Sequence, residues 1–579
     1  MLFEVWAPHA ERVEVATGGR THRLGPDPAR EGWWRTELSA PAGTRYAYVL
    51  DGGPPLPDPR SRRQPDGPDG PSAVVDHDAF AWTTPWPGRG LPGAVLYELH
   101  VGTFTEAGTF DAAVERLPHL ARLGVTHVEL MPVCPFPGTN GWGYEGVSLW
   151  AVHEPYGGPE AMKRFVDAAH RHGLGVVLDV VHNHLGPSGN HLPPFGPYFT
   201  DRHHTPWGDA VNLDAPGSDE VRAFLVGSAL AWLRDYRLDG LRLDAVHALV
   251  DTRALHFLEE LSTAVDGLSA ALGRPLFLIA ESDLNDPRTT APRDAGGLGL
   301  HAQWNDDFHH ALHTAVTGES QGYYADFAAA GPGALAKILG HGFFHDGTYS
   351  SFRGRHHGRP LDPATVPGSR LLGYAQTHDQ VGNRATGDRL TAQQLGVAAA
   401  LVLTSPFTPM LFMGEEWGAT TPWQFFTDHA DPELGAAITR GRRREFAEHG
   451  WAEEDVPDPQ DPATRDRSCL DWAEPDKPEH RELLEWYRAL IALRRAEPAL
   501  SDPQLDSVTA TAGGRTLRVA RGPFRIVANF SDAAARIPLS DPCEIVLCRP
   551  ACKVLPGPAV QLPARGAAVL RTTGATVDG

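Results

Sequence analysis

Several apolar runs in this sequence end on side chains that can do acid–base or nucleophilic work. Asp179 closes LGVVLDVV, Arg242 and Asp244 stand in LDGLRLDAV, and Glu281 and Asp283 end PLFLIAESD. Asp306 and Asp307 follow AQWN, and His378 and Asp379 end LLGYAQTHD. One such residue could be a solvated strand end; carboxylates after so many runs point to a shared site. Arg242 and Asp244 are two apart, so on a strand both side chains leave the same face. A guanidinium beside a carboxylate keeps it ionised and oriented, as a nucleophile requires. Glu281 ends an apolar run, and desolvation raises a carboxyl pKa, which suits a general acid near neutral pH. His378 and Asp379 can donate to and accept from vicinal sugar hydroxyls. A nucleophile and an acid about 5 Å apart cleave a glycosidic bond with retention through a covalent intermediate.

The elements that must position these groups alternate apolar strand-like runs with amphipathic helices. Strands are expected at 94–102, 125–133, 174–181, 238–246, 275–283, 302–308, 371–379 and 409–417. Helices such as FDAAVERLPHLARLG and VRAFLVGSALAWLRDY lie between them, with apolar residues at helical spacing. This is the pattern of an α/β chain closing into a (β/α)8 TIM barrel, whose functional groups collect at the C-terminal ends of the strands. No GxGxxG or P-loop follows any strand, which weighs against nucleotide binding.

The barrel is expected over residues 89–500. Residues 1–88 carry short Val-, Thr- and aromatic-rich runs with turn residues between them, which predicts an N-terminal β-sandwich of immunoglobulin type. The Pro/Gly/Asp-rich stretch PLPDPRSRRQPDGPDGPS reads as a covering loop. Alternating strands after RELLEWYRALIALRRAEPAL predict a small β-sandwich domain over 501–579.

Composition narrows the partners. The net charge of −21 would repel nucleic acid and anionic membranes, while a neutral substrate is compatible with it. The opening MLFEVWAPHA shows no secretory signal, no run is apolar and long enough to span a membrane, and five scattered cysteines suit reduced thiols. The expected location is the cytoplasm. Cys543, Cys548 and Cys552 match no zinc spacing, there is no HExxH or paired CxxC, and no calcium loop is visible. No metal and no cofactor is expected. Fifteen Trp and 28 His suit a sugar-binding cleft.

DVVHNH (179–184), GLRLDAVH (240–247), IAES (279–282) and QTHDQ (376–380) stand in the order found in the α-amylase superfamily of glycoside hydrolases, which the chain resembles. The resemblance implies Asp244 as nucleophile, Glu281 as acid/base and Asp379 as transition-state stabiliser. It implies Arg242, His184 and His378 as supports of the sugar subsite nearest cleavage, and Asp179 as a structural neighbour. The same motifs, the last continuing as QTHDQVGN, add His247, Gln380 and Asn383 to the substrate-binding set. Longer stretches, including FPGTNGWGYEGVSLWAVHEPYGGPE, AQWNDDFHHALHTAVTGESQGYYADF and FMGEEWGATTPWQFFTDH, resemble one branch of that superfamily, the malto-oligosyltrehalose trehalohydrolases. Such enzymes hydrolyse the α-1,4 bond next to a terminal trehalose and release it, and their functional partner is a maltooligosyltrehalose synthase. One departure is Glu145 in GWGYEGV, where members of that branch often carry Asp.

Trehalose has no reducing end, so its recognition must come from hydroxyl contacts. Asp306, Asp307, His309 and His310 are expected to supply them from the rim of the sixth strand, the other possibility being a polar loop that merely caps the barrel. Trp142, Tyr144 and Trp207 are candidate stacking platforms for sugar rings, although each could equally be a core aromatic. Two further readings stay open. A glucan branching or debranching enzyme would share the carboxylates, and a catalytically dead glucan-binding protein would not need all three.

Overall fold

The computed structural model describes residues 1–447, 452 and 455–573. Eight parallel strands close into a barrel in which each pairs with its neighbours in sequence and the last returns to the first. They are β1 (Leu96–Leu99), β2 (His127–Leu130), β3 (Gly175–Val180), β4 (Gly240–Leu243), β5 (Phe277–Ala280), β6 (Ala302–Trp304), β7 (Leu371–Tyr374) and β8 (Thr408–Phe412). Each falls within a run expected from the sequence or within one residue of it. These strands are buried along their whole length. That is the consequence of a barrel interior on one face and a ring of helices on the other.

The interior changes character along the strands. Leu96, Val177, Phe277, Ile279, Ala302, Trp304, Leu372, Tyr374 and Met410 form one buried apolar cluster. Side chains two apart share a face, so a step of two residues from this cluster reaches Glu98, Asp179, Glu281 and Asp306 at the C-terminal end. Arg242 and Asp244 stand on the same face of β4 and just beyond it. The alternation that makes the strands thus also delivers the charged groups to one mouth.

Two antiparallel hairpins, Phe199–Thr205 with Gly208–Val211 and Thr348–Ser350 with Arg355–His357, follow β3 and β6 and lie beside that mouth. Strand-rich domains stand at both termini. The N-terminal one pairs a three-stranded and a five-stranded sheet, and the C-terminal one a five-stranded and a three-stranded sheet. Residues 574–579 of the expected C-terminal domain lie outside the described residues. The Pro/Gly-rich loop is pinned as well as covering. Gln64 is fully buried and donates to the carbonyls of Gly67 and Gly70, while Arg62 and Arg63 pair with Asp235 and Glu154 of the barrel.

Candidate active site

Arg242 is the hub. Completely buried at the end of β4, it donates from Nη1 to Asp179 at 2.7 Å and to Asp244 at 2.8 Å, and its Nη2 lies 2.9 Å from Glu281. The Trp304 ring stacks under the guanidinium at 4.3 Å. A planar fork with several fixed donors can hold three carboxylates at once, which an ammonium could not. Asn183 completes the setting of Asp244, donating to its Oδ2 at 2.7 Å. Burial pushes the Asp179 carboxyl up to about 7 against the pull of Arg242, while the charge of Asp244 adds to the rise.

Glu281 differs from its expectation. Its side chain is 20% exposed, because the carboxylate reaches beyond the apolar run into the cleft. It is held by Arg242 and by the backbone N–H of Ala245, which donates to it at 2.7 Å. Ala245 adopts φ 39°, the left-handed region that costs a non-glycine residue about 1 kcal/mol. That turn, directly after Asp244, aims its amide at the neighbouring carboxylate.

His378 and Asp379 approach from β7. His378 Nδ1 lies 2.6 Å from Glu98 and its Nε2 lies 2.8 Å from the Tyr144 hydroxyl and 3.5 Å from Asp379. Burial alone would lower the ring's pKa, but Asp379 and Glu98 push it up to about 9, so it is an imidazolium donating from both nitrogens. Tyr144 in turn donates to Asp179 at 2.6 Å. Its ring stacks on His378. Gly143, at φ 99°, makes the turn before it; a Cβ there would come within 2.3 Å of the Pro132 carbonyl. His184 lies 2.9 Å from the Tyr144 carbonyl, and Trp207, 50% exposed, stacks flat on it at 4.3 Å.

Other expectations sort differently. Trp142 is not an open platform: it is buried, stacked on Trp423, and donates to the Gln424 carbonyl. His247 is exposed beside Asp283, whose N–H it accepts at 3.4 Å. Asp306, Asp307, His309 and His310 do not form one rim cluster. β6 ends at Trp304, Asn305 caps a helix by accepting from Phe308 N–H, and Asp306–Thr317 is helical. Residues four apart share a helix face, so Asp306 and His310 meet the cleft together, while Asp307 and His309 turn away from it. His309 is buried and lines a separate polar cavity with His313, Glu319 and Arg384.

The cleft of about 240 Å³ beside Asp379 is lined by Asp283, Asp306, His310, Gln380 and Asn383, and by three residues absent from the sequence-based set: Tyr323, Phe352 and Arg353. Phe352 is 57% exposed, an apolar ring held in water at the cleft edge. Arg353 pairs with Asp283 across it. An aromatic in an otherwise polar insertion was the available signal. Burial, with the charges of Glu281, Asp379 and Asp283 adding to it, pushes the Asp306 carboxyl up to about 7 despite the Tyr374 hydroxyl bonded to it at 2.6 Å.

Asp307 instead organises the cleft wall from behind. Its Oδ2 accepts from Asn285 and from the backbone N–H groups of Phe344 and His345, each at 2.8 Å. Asp307→Ala leaves three donors without their acceptor, so a loss of about 2–4 kcal/mol in unfolding free energy is expected by denaturant titration. A loss under about 1 kcal/mol would contradict this organising role. Among the described residues no three His, Cys, Asp or Glu side chains are grouped to hold a metal ion.

Residues 87–192 match the family model "Alpha amylase, catalytic domain". The malto-oligosyltrehalose trehalohydrolase of Rhizobium sp. (strain M-11) is 54% identical to the chain, over 98% of this chain and 97% of that protein. A crystal structure of a Salmonella typhimurium protein described as an alpha amylase superposes with a TM-score of 0.90 at 38% identity, covering 99% of this chain and 97% of that one. A 1,4-alpha-glucan branching enzyme of Xanthomonas campestris is 30% identical over 73% of this chain and 60% of that protein.

Proposed function

The chain belongs to the malto-oligosyltrehalose trehalohydrolase family, and from that premise we propose that it hydrolyses the α-1,4-glucosidic bond next to the terminal trehalose of maltooligosyl-trehalose with retention of configuration. It is a glycoside hydrolase of the α-amylase superfamily. Asp244 attacks the anomeric carbon, Glu281 protonates the departing trehalose oxygen, and Glu281 then takes the proton of the water that releases the maltooligosaccharide. Asp379 and His378 bind hydroxyls of the sugar at the reacting carbon. The observation that carries this reading is the Arg242 fork, which ties Asp244 and Glu281 to one guanidinium and so supports the short carboxyl separation of a retaining enzyme.

Trehalose leaves through the cleft beyond Asp379, where Asp306, His310 and Arg353 offer hydroxyl contacts and Phe352 an apolar face. Its substrate is supplied by a maltooligosyltrehalose synthase. All five thiols are free, which supports a reducing, cytoplasmic setting, and no described helix is long and apolar enough to cross a membrane. The branching-enzyme reading rests on the lower identity and requires transfer to a second glucan in place of water.

Maltotriosyl-trehalose is expected to give trehalose and maltotriose, with the maltotriose formed as its α-anomer, and maltopentaose to be cleaved far more slowly. Product chromatography with anomeric NMR reads both. Equal rates on the two substrates would remove the trehalose assignment, and a β-anomer would remove the retaining mechanism.

A further inference from the structure

Glu98 lies on the interior face of β1, among the residues of the buried mouth, and the cleavage chemistry described above makes no use of it. We infer that Glu98 is a positioning residue for the reaction, gripping His378 by ring and backbone together and thereby fixing Asp379; this rests on the glycosidase reading of the site. Its Oε1 lies 2.6 Å from His378 Nδ1, and its Oε2 accepts the His378 N–H at 3.0 Å. Two bonds from one carboxylate to one residue fix both the turn of chain at His378 and the plane of its ring. With the plane fixed, Nε2 is directed at the Tyr144 hydroxyl, with Asp379 3.5 Å away. Asp379 is the next residue in the chain, so its place follows from the same anchor.

The neighbouring strand supplies a built-in comparison. Glu129 on β2 is the register partner of Glu98, and both side chains are 1% exposed. Neither oxygen of Glu129 has a hydrogen-bond partner among the described residues. Burial, and then the charge of Glu98, push the Glu129 carboxyl well up. One carboxyl of the pair is spent on His378 and the other on no described residue. The groups facing His378 are Glu98 from β1, Glu129 from β2, Tyr144 from the loop after β2, Arg242 from β4 and Asp379 beside it. The Trp142 and Trp304 rings close the remaining sides, and His100 stands at the end of β1. The cations among these oppose a charged ring, whereas Glu98 and Asp379 favour it.

The sign follows directly. An imidazolium held by Glu98 persists to higher pH than a free ring and is lost as pH rises through its raised value. Glu98→Gln removes one of its two supporting charges, so that loss begins at lower pH. The expected result is a fall in kcat of roughly tenfold or more with a smaller change in KM, and an alkaline limb of kcat/KM displaced to lower pH by about one unit. Glu129→Gln alters a side chain of the same shape that makes no hydrogen bond to His378, and its alkaline limb stays in place. Both variants are assayed on whichever α-glucan the unmodified enzyme cleaves, so a failure of trehalose selectivity does not disturb the comparison. A Glu98→Gln profile with an unmoved limb, or equal displacement in both variants, overturns the inference. Should Glu98→Gln fail to fold, histidine ring NMR of the unmodified protein decides, with His378 identified by the signal lost in His378→Gln. A ring still protonated at about pH 8 supports the anchor, and one already neutral there overturns it.

Discussion

Asp244→Asn is expected to lower turnover by about 10⁴-fold or more, which corresponds to about 5.5 kcal/mol of transition-state stabilisation, while leaving the protein folded. The loss is large because the covalent step has no substitute: an amide oxygen is too weak a nucleophile to displace a sugar alkoxide. The fold survives because Arg242 keeps Asp179 and Glu281 as partners, so no buried charge is orphaned. Asn183 can still donate to the oxygen that replaces Asp244 Oδ2. Steady-state kinetics on maltotriosyl-trehalose, with unfolding followed on the same preparation, tests both halves. Activity above about a tenth of the unmodified enzyme would show that another group forms the intermediate.

Glu281→Gln should cost about 10³-fold on maltotriosyl-trehalose, where the leaving oxygen needs a proton, and much less on an α-maltosyl fluoride, where it does not. The geometry makes the exchange conservative. The introduced amide keeps an oxygen for the Ala245 N–H and for Arg242, so the wall of the site stays in place. With the second proton transfer also lost, the glycosyl-enzyme accumulates, and added azide should intercept it. Azide enters from the face that water uses, so the product is the α-glycosyl azide, identified by its anomeric coupling. A β-azide would mean a single displacement and an inverting enzyme.

The barrel and its three central carboxylates were legible because both rest on local rules. A strand's alternation of faces, and the two-residue spacing of Arg242 and Asp244, put both groups inward at one end without reference to anything distant. The run of apolar residues before Glu281 puts it at a strand end but does not show its partial exposure. A glutamate side chain, longer than an aspartate's, reaches past the core into the cleft. Trp142 shows the same limit, since nothing in GWGY says whether a tryptophan faces sugar or Trp423.

Phase decided the rim. The expected cluster at 306–310 assumed that strand geometry continues, but Asn305 starts a helix, and its turn separates Asp306 and His310 from Asp307 and His309. The remaining contacts cross long stretches of chain: Glu98 meets His378 280 residues later, and Tyr144 meets it across 234. Sequence determined which residues stand on the inner face of each strand, because that is fixed by neighbours two positions away. Only closure of the barrel decided which inner faces meet, because strand register and the packing of the loops above it juxtapose groups that no local pattern relates. Hence Glu98 and Glu129, two glutamates in similar apolar runs, end as one carboxyl anchored on His378 and one without a hydrogen-bond partner among the described residues.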